Sequence, residues 1–290
     1  MLSIKKLNFC LKLSVMPNIP TIPYDRFQLD LNANVYSPQN ALSSALACYL
    51  SYEAEYVIQE KLAAWGFPHF VNLNAQKGFV IDTQGFVASN DEVTLIAFRG
   101  SESPQDWVTN LNMATDPGPF QRTRVHEGFQ RALLSVMMDL TEAVVQHQKS
   151  LWITGHSLGA ALATILTGMY LERDRAVHCL YTFGSPRVGN ENFRTEFNSR
   201  FLKQAYRVVN GHDLVPHVPP EPLFSHVGQS IIFDAEGKRR EGELTFWEKL
   251  QMDVKGRLLQ DWGDGRLSAV ERHLLDDDDG YLPRLLQDLS

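Results

Sequence analysis

Apolar residues fall into short continuous runs, separated by glycine, proline and polar clusters. Val93-Thr94-Leu95-Ile96-Ala97-Phe98 is almost wholly apolar, the pattern of a strand buried on both faces. Leu151-Trp152-Ile153-Thr154, His178 to Phe183 and Gln204 to Val209 repeat that pattern. Between them lie stretches with helical spacing: Glu127 to Gln148, Ala160 to Leu166 and Asn190 to Phe201. Strand and helix in alternation predict an α/β fold with a mostly parallel central sheet and helices on both faces. Upstream, Ser37-Pro38 opens a predicted helix to Ser51, and a second runs from Ala54 to Trp65 and stops at Gly66. Gly78 to Asp82 and Gly85 to Ala88 read as the two strands of a hairpin. Downstream, residues 223–233 predict a further strand or hairpin, and Thr245 to Leu259 a helix. No repeat or linker divides residues 23–290, so a single domain is expected there, behind a weakly ordered arm at 1–22.

Composition narrows this picture. The 290 residues are 44% hydrophobic, enough for a sizeable core, and the net charge of −7 comes without a Lys/Arg cluster. That excludes a nucleic-acid-binding surface and long-range attraction to anionic membranes. Cys10, Cys48 and Cys179 have no CxxC or zinc spacing. Their odd number favours a reducing compartment or simply buried thiols. Lys12 interrupts the apolar stretch after Lys5 and Lys6, and no small-residue cleavage site follows, which argues against a secretory leader. No run of ~18 apolar residues predicts a transmembrane helix. A cytoplasmic protein is the resulting expectation. The four acids Asp276 to Asp279 lack the spaced ligands of a calcium loop and read as a solvated turn. No metal or cofactor is expected.

The chemistry sits at Gly155-His156-Ser157-Leu158-Gly159, with an apolar strand before it and a small-residue helix after it. In that context G-x-S-x-G is a nucleophile elbow. A serine hydroxyl needs a base, and the base needs a carboxylate to orient it. In elbow enzymes both partners follow the serine, acid before base. Asp213 lies just past the end of the strand 204–209, on the sheet edge that carries Ser157. Three later histidines are candidates for the base. His217 is only four residues from Asp213, in a Pro-rich loop, and His226 lies in a strand-like run. His273, in a polar stretch, is favoured, with His226 as runner-up. His156 points away from Ser157 by strand alternation. One oxyanion donor should be the N–H of Leu158, and the other should come from Arg99-Gly100-Ser101, at Ser101. Ser103-Pro104-Gln105-Asp106 then starts a short helix. Its residues Trp107, Val108 and Leu111 share one face. Two readings stand: an active-site lid turning that face to a lipid interface, or an ordinary packed helix.

Five blocks together carry a resemblance. They are Phe98 to Ser101, Val125 to Phe129, Gly155 to Ala163, Thr182 to Asn190 and Asp213 to Pro220. In order and spacing the chain resembles the class 3 (fungal-type) lipase family over roughly residues 75–230, with His273 and Tyr281-Leu282 beyond. The resemblance implies an α/β-hydrolase-like fold and a single lipase-like catalytic domain. It implies Ser157 as nucleophile, Asp213 as acid, His273 as base, Ser101 and Leu158 as oxyanion donors, and residues 103–112 as lid. It also implies hydrolysis of acyl esters of lipids, with a phospholipase or a feruloyl-type esterase as alternatives on the same triad. A non-catalytic lipid-binding protein is a further alternative. The stretch 234–266 is longer than compact members of that family need, and the residues after His273 are more acidic. The signal sequences and disulfides of the secreted fungal enzymes are not evident, so the chain looks more like an intracellular or bacterial-type member.

Overall fold

The continuous apolar runs form the middle of one sheet. A computed structural model describes residues 22–77, 81–101, 111–145, 149–211, 213–234, 236–241 and 273–290. Strands β3 (Val93–Phe98), β6 (Ser150–His156), β7 (Cys179–Phe183), β8 (Ala205–Asn210) and β9 (Gln229–Phe233) pair in parallel, in chain order. The sheet is completed by β1 (His69–Lys77) and β2 (Ile81–Ser89) on one side and β10 (Arg239–Glu241) on the other, all antiparallel to their neighbours. Every residue of β3 and β8 is buried, as continuous apolar runs require. A separate ribbon pairs β4 (Thr115–Pro117) with β5 (Arg124–His126).

Helices cover both faces. On one face lie α3 (Glu127–Ser135), α4 (Met137–Val145), α5 (Leu158–Glu172) and α6 (Glu191–Phe201), over a core that includes Ile96, Phe98, Phe129, Leu162 and Phe193. On the other lie α1 (Pro38–Leu50), α2 (Glu55–Ala64) and α7 (Tyr281–Asp288), around Leu42, Leu46, Trp152, Phe183 and Leu285. The start of α1 follows its sequence signal: the Ser37 side chain accepts from the Asn40 N–H, with Pro38 in the first turn. Helices far apart in sequence thus meet on one face, where α1 packs on α7.

Two elements differ from the expectation. The predicted hairpin at 78–88 is a single strand, 81–89, whose partner is the unforeseen strand His69–Lys77. Gly85 is not a turn; its bare Cα lets β2 pass so close to β3 that a Cβ would lie 3.2 Å from the Phe98 Cα. Likewise the predicted helix 127–148 breaks at Val136. The Ser135 hydroxyl bonds the Ala132 carbonyl at 2.6 Å, a local bond that competes with the helix ladder. The expected arm up to residue 21 and the helix at 245–259 lie outside the described residues. Among the described residues, no helix is long and apolar enough to cross a membrane.

Candidate active site

The carboxyl edge of the parallel strands collects the site, as α/β sheets generally do. Strand β6 runs through Gly155 and His156, and the chain turns at Ser157 into α5. Ser157 has φ 57° and ψ −126°, a strained conformation for a residue with a side chain. Its N–H donates to the Phe183 carbonyl on β7 at 3.0 Å. The turn is closed on both sides. A Cβ on Gly155 would lie 2.7 Å from the Ala160 nitrogen, and one on Gly159 would lie 2.6 Å from the Arg99 carbonyl oxygen. Only glycine fits either place.

Past the end of β8, Asp213 is held by its own turn: its N–H donates to the Asn210 carbonyl and its Oδ1 accepts from the Val215 N–H, both at 2.9 Å. Its Oδ2 receives His273 Nδ1 at 2.8 Å and the Tyr281 hydroxyl at 2.6 Å. Asp213 and His273 are both 1% exposed. A buried carboxylate needs such donors to offset its lost hydration. Gly184, at φ +56°, follows β7 and leaves the room: a Cβ there would stand 2.8 Å from Asp213 Oδ2 and from His273 Nδ1. His273 has its other nitrogen, Nε2, buried with no hydrogen-bond partner among the described residues, and the same holds for Ser157 Oγ. Burial and the adjacent Asp213 charge push the Tyr281 phenol well above its ordinary range, so it stays a donor.

The structure thus brings Asp213 and His273 together and engages the runner-up, His226, elsewhere. His226 Nε2 donates to the Pro216 carbonyl at 2.7 Å. Burial, with Arg207 and Arg187 nearby, holds its pKa well below 6.5. Such a group supports stability fully above its unfolded pKa, and that support is lost as pH falls below it. The melting temperature is therefore expected to drop between about pH 6.5 and 5. His226→Gln keeps a donor but cannot titrate, so it should flatten that slope in a thermal-melt series; an unchanged slope would assign the loss to another group.

Beside the elbow, the loop after β3 comes against Ser157: a Cβ on Gly100 would lie 2.8 Å from the Ser157 Cβ. Ser101 follows it, half-buried. Leu158 is the first residue of α5, where a backbone N–H has no partner within the helix. Trp107 and Val108 lie outside the described residues; Leu111 is partly buried and packs on the core beneath α3 and α5. Among the described residues, no group of His, Cys, Asp or Glu is arranged to hold a metal ion. Sequence reading gave no role to Tyr281, Gly184 or Tyr52, whose contacts with the site span 68 residues in the first case and 104 in the last. No local pattern signals such pairs.

The comparisons agree with this geometry. Residues 95–223 match the family model described as Lipase (class 3). The chain is 34% identical over 163 residues to a lipase of Rhizomucor miehei, covering 52% of this chain and 45% of the relative. It is 36% identical over 138 residues to secreted mono- and diacylglycerol lipase 1 of Fusarium solani, covering 43% of this chain and 39% of the relative. The matches thus span less than half the length of either relative. A solved triacylglycerol lipase, in which a serine protease triad forms the catalytic centre, superposes with a TM-score of 0.54 at 25% identity, covering 76% of this chain and 82% of that one. The elbow, the sheet order and these matches together give the chain an α/β-hydrolase fold, similar over residues 95–223 to the class 3 lipases.

Proposed function

We propose that this protein is a serine hydrolase that cleaves acyl esters of lipids, with acylglycerols as its substrate class. One observation carries the reading: His273 is fixed by Asp213 at 2.8 Å through Nδ1, while its Nε2 and Ser157 Oγ are both buried without partners among the described residues. Those are the two atoms that proton transfer joins in a triad. His273 Nε2 takes the Ser157 proton as Oγ attacks the ester carbonyl. The Leu158 N–H and Ser101 hold the oxyanion of the tetrahedral intermediate. The imidazolium returns its proton to the leaving alcohol, and the acyl group stays on Ser157. Water, deprotonated by His273, then releases the fatty acid. Asp213 keeps the imidazole in the tautomer with the proton on Nδ1 and stabilises the cation that forms.

The substrate class rests on the relatives, which are named as lipases acting on triacylglycerols or on mono- and diacylglycerols. A relative named as secreted weighs toward action outside the cytoplasm, against the expectation from cysteine usage. Cys48 and Cys179 are free and buried, and burial raises both thiol pKa values, so they are poorly reactive in either setting. The test is labelling by a fluorophosphonate probe, with peptide mapping and a Ser157→Ala control, followed by parallel assays on tributyrin emulsion, phosphatidylcholine vesicles and p-nitrophenyl butyrate. Label on Ser157 and glyceride turnover are expected. Label elsewhere, or full activity in Ser157→Ala, would overturn the reading; turnover of phospholipid alone would replace the substrate class.

A further inference from the structure

A chain of hydrogen bonds runs beside the elbow. The Gly100 N–H donates to the Tyr52 hydroxyl at 2.9 Å. That hydroxyl lies 2.9 Å from His156 Nδ1. His156 Nε2 lies 2.7 Å from the backbone carbonyl oxygen of His273. The carbonyl can only accept, so Nε2 carries the proton and donates. In the neutral ring Nδ1 is then an acceptor, and Tyr52 donates to it. Every donor points the same way: from Gly100 to Tyr52 to His156 to His273.

We propose that Tyr52 and His156 are positioning residues, a tether that sets the oxyanion loop and the catalytic base at a fixed separation on either side of Ser157. The proposal rests on Ser157 and His273 acting as described above. One end of the tether is the residue before Ser101; the other is the main chain of the base itself. Gly100 admits the contact because it has no side chain: a Cβ there would stand 2.8 Å from both the His156 carbonyl oxygen and the Ser157 Cβ. On the outer side, the Arg99 guanidinium lies over the Tyr52 ring, 5.2 Å from its centre, holding the phenol in place. The His156 and His273 rings are 4.6 Å apart. A charged His156 would oppose the imidazolium that forms on His273, and burial, with His273 beside it, keeps the His156 pKa well below its ordinary value. A neutral ring of one tautomer is therefore the state that both the bonds and the chemistry require.

Tyr52→Phe removes one hydroxyl and keeps the ring. It leaves Gly100 N–H without its acceptor and His156 Nδ1 without its donor. On p-nitrophenyl butyrate, kcat is expected to fall about 10- to 100-fold with KM within about two-fold, because the tether acts on transition-state geometry. Binding of an alkyl boronic acid, a tetrahedral mimic, should weaken by a similar factor. His156→Gln should give a comparable loss, and the double variant should lose no more than the worse single one, since both break one chain. Wild-type kcat in Tyr52→Phe, or losses that multiply in the double variant, would overturn the tether. Should His156→Gln not fold, the kcat and boronate measurements on Tyr52→Phe decide alone. The wild type and Ser157→Ala are assayed alongside. Activity retained in Ser157→Ala overturns the hydrolase reading and the tether with it; a dead Ser157→Ala beside an unaffected Tyr52→Phe overturns the tether only.

Discussion

His273→Ala is expected to lower kcat for acyl-ester hydrolysis by about 10^4- to 10^6-fold, because the members of a triad act as one unit. The magnitude follows from what the ring does. Its Nδ1 is already engaged by Asp213 at 2.8 Å, which leaves Nε2 as the nitrogen to take a proton from Ser157. Without it, the serine must attack as an un-ionised hydroxyl. KM should change little, since the imidazole binds the transition state and not the acyl chain. His226→Gln is the matched control. Its ring donates to Pro216, and kcat at pH 8 should stay within about three-fold of wild type, inside the range expected of a residue that does not touch the reaction. Steady-state kinetics on a soluble ester check both. If His226→Gln is the inactive variant and His273→Ala the active one, the base has been misassigned.

The choice between those histidines shows where sequence reading ends. Ser157 was legible because its chemistry is local. Strand, two glycines and helix lie within about fifteen residues, and the tight turn demands them in that order. Asp213 was legible by the same kind of argument, as a carboxylate just past a buried strand. His273 stands 60 residues from Asp213, too far along the chain for a local pattern to pair the two. What fixes it is packing: α7 seats Tyr281 and Leu282 in the core, and their backbone N–H groups hold the carbonyls of Leu274 and Leu275. The sheet order was readable from buried runs, whereas β1 was not. Its alternation is half-polar, with Leu73 and Ala75 buried and Val71 and Asn74 exposed, and Gly85 in its partner reads as the start of a second hairpin strand. A glycine that permits close strand approach and a glycine that reverses the chain look alike until the neighbouring strand is present.

Gly159→Ala is expected to destabilise the fold by about 2–4 kcal/mol, a cost typical of backbone overlap in a packed core. It should also abolish most activity. A Cβ at this position would run into the carbonyl oxygens of Phe98 and Arg99, and backbone cannot swing aside as a side chain can. Relief requires the end of β3 to move away from α5. That movement carries Gly100 and Ser101 with it, out of line with the Leu158 N–H. A displacement of about 1 Å at such a donor costs on the order of 100-fold in rate. The melting temperature should fall by roughly 5–10 °C, and kcat by at least about 100-fold even well below the transition. Gly66→Ala separates site from strain. Gly66 also has a positive φ, +83°, yet a Cβ there meets nothing within 4 Å. That variant should lose only about 1 kcal/mol through its backbone and keep its full kcat. Thermal melts and ester kinetics on the two variants make the comparison. Should Gly159→Ala retain wild-type kcat, the loop after β3 does not supply the oxyanion donor, and the elbow would have to stabilise the intermediate through Leu158 and other groups.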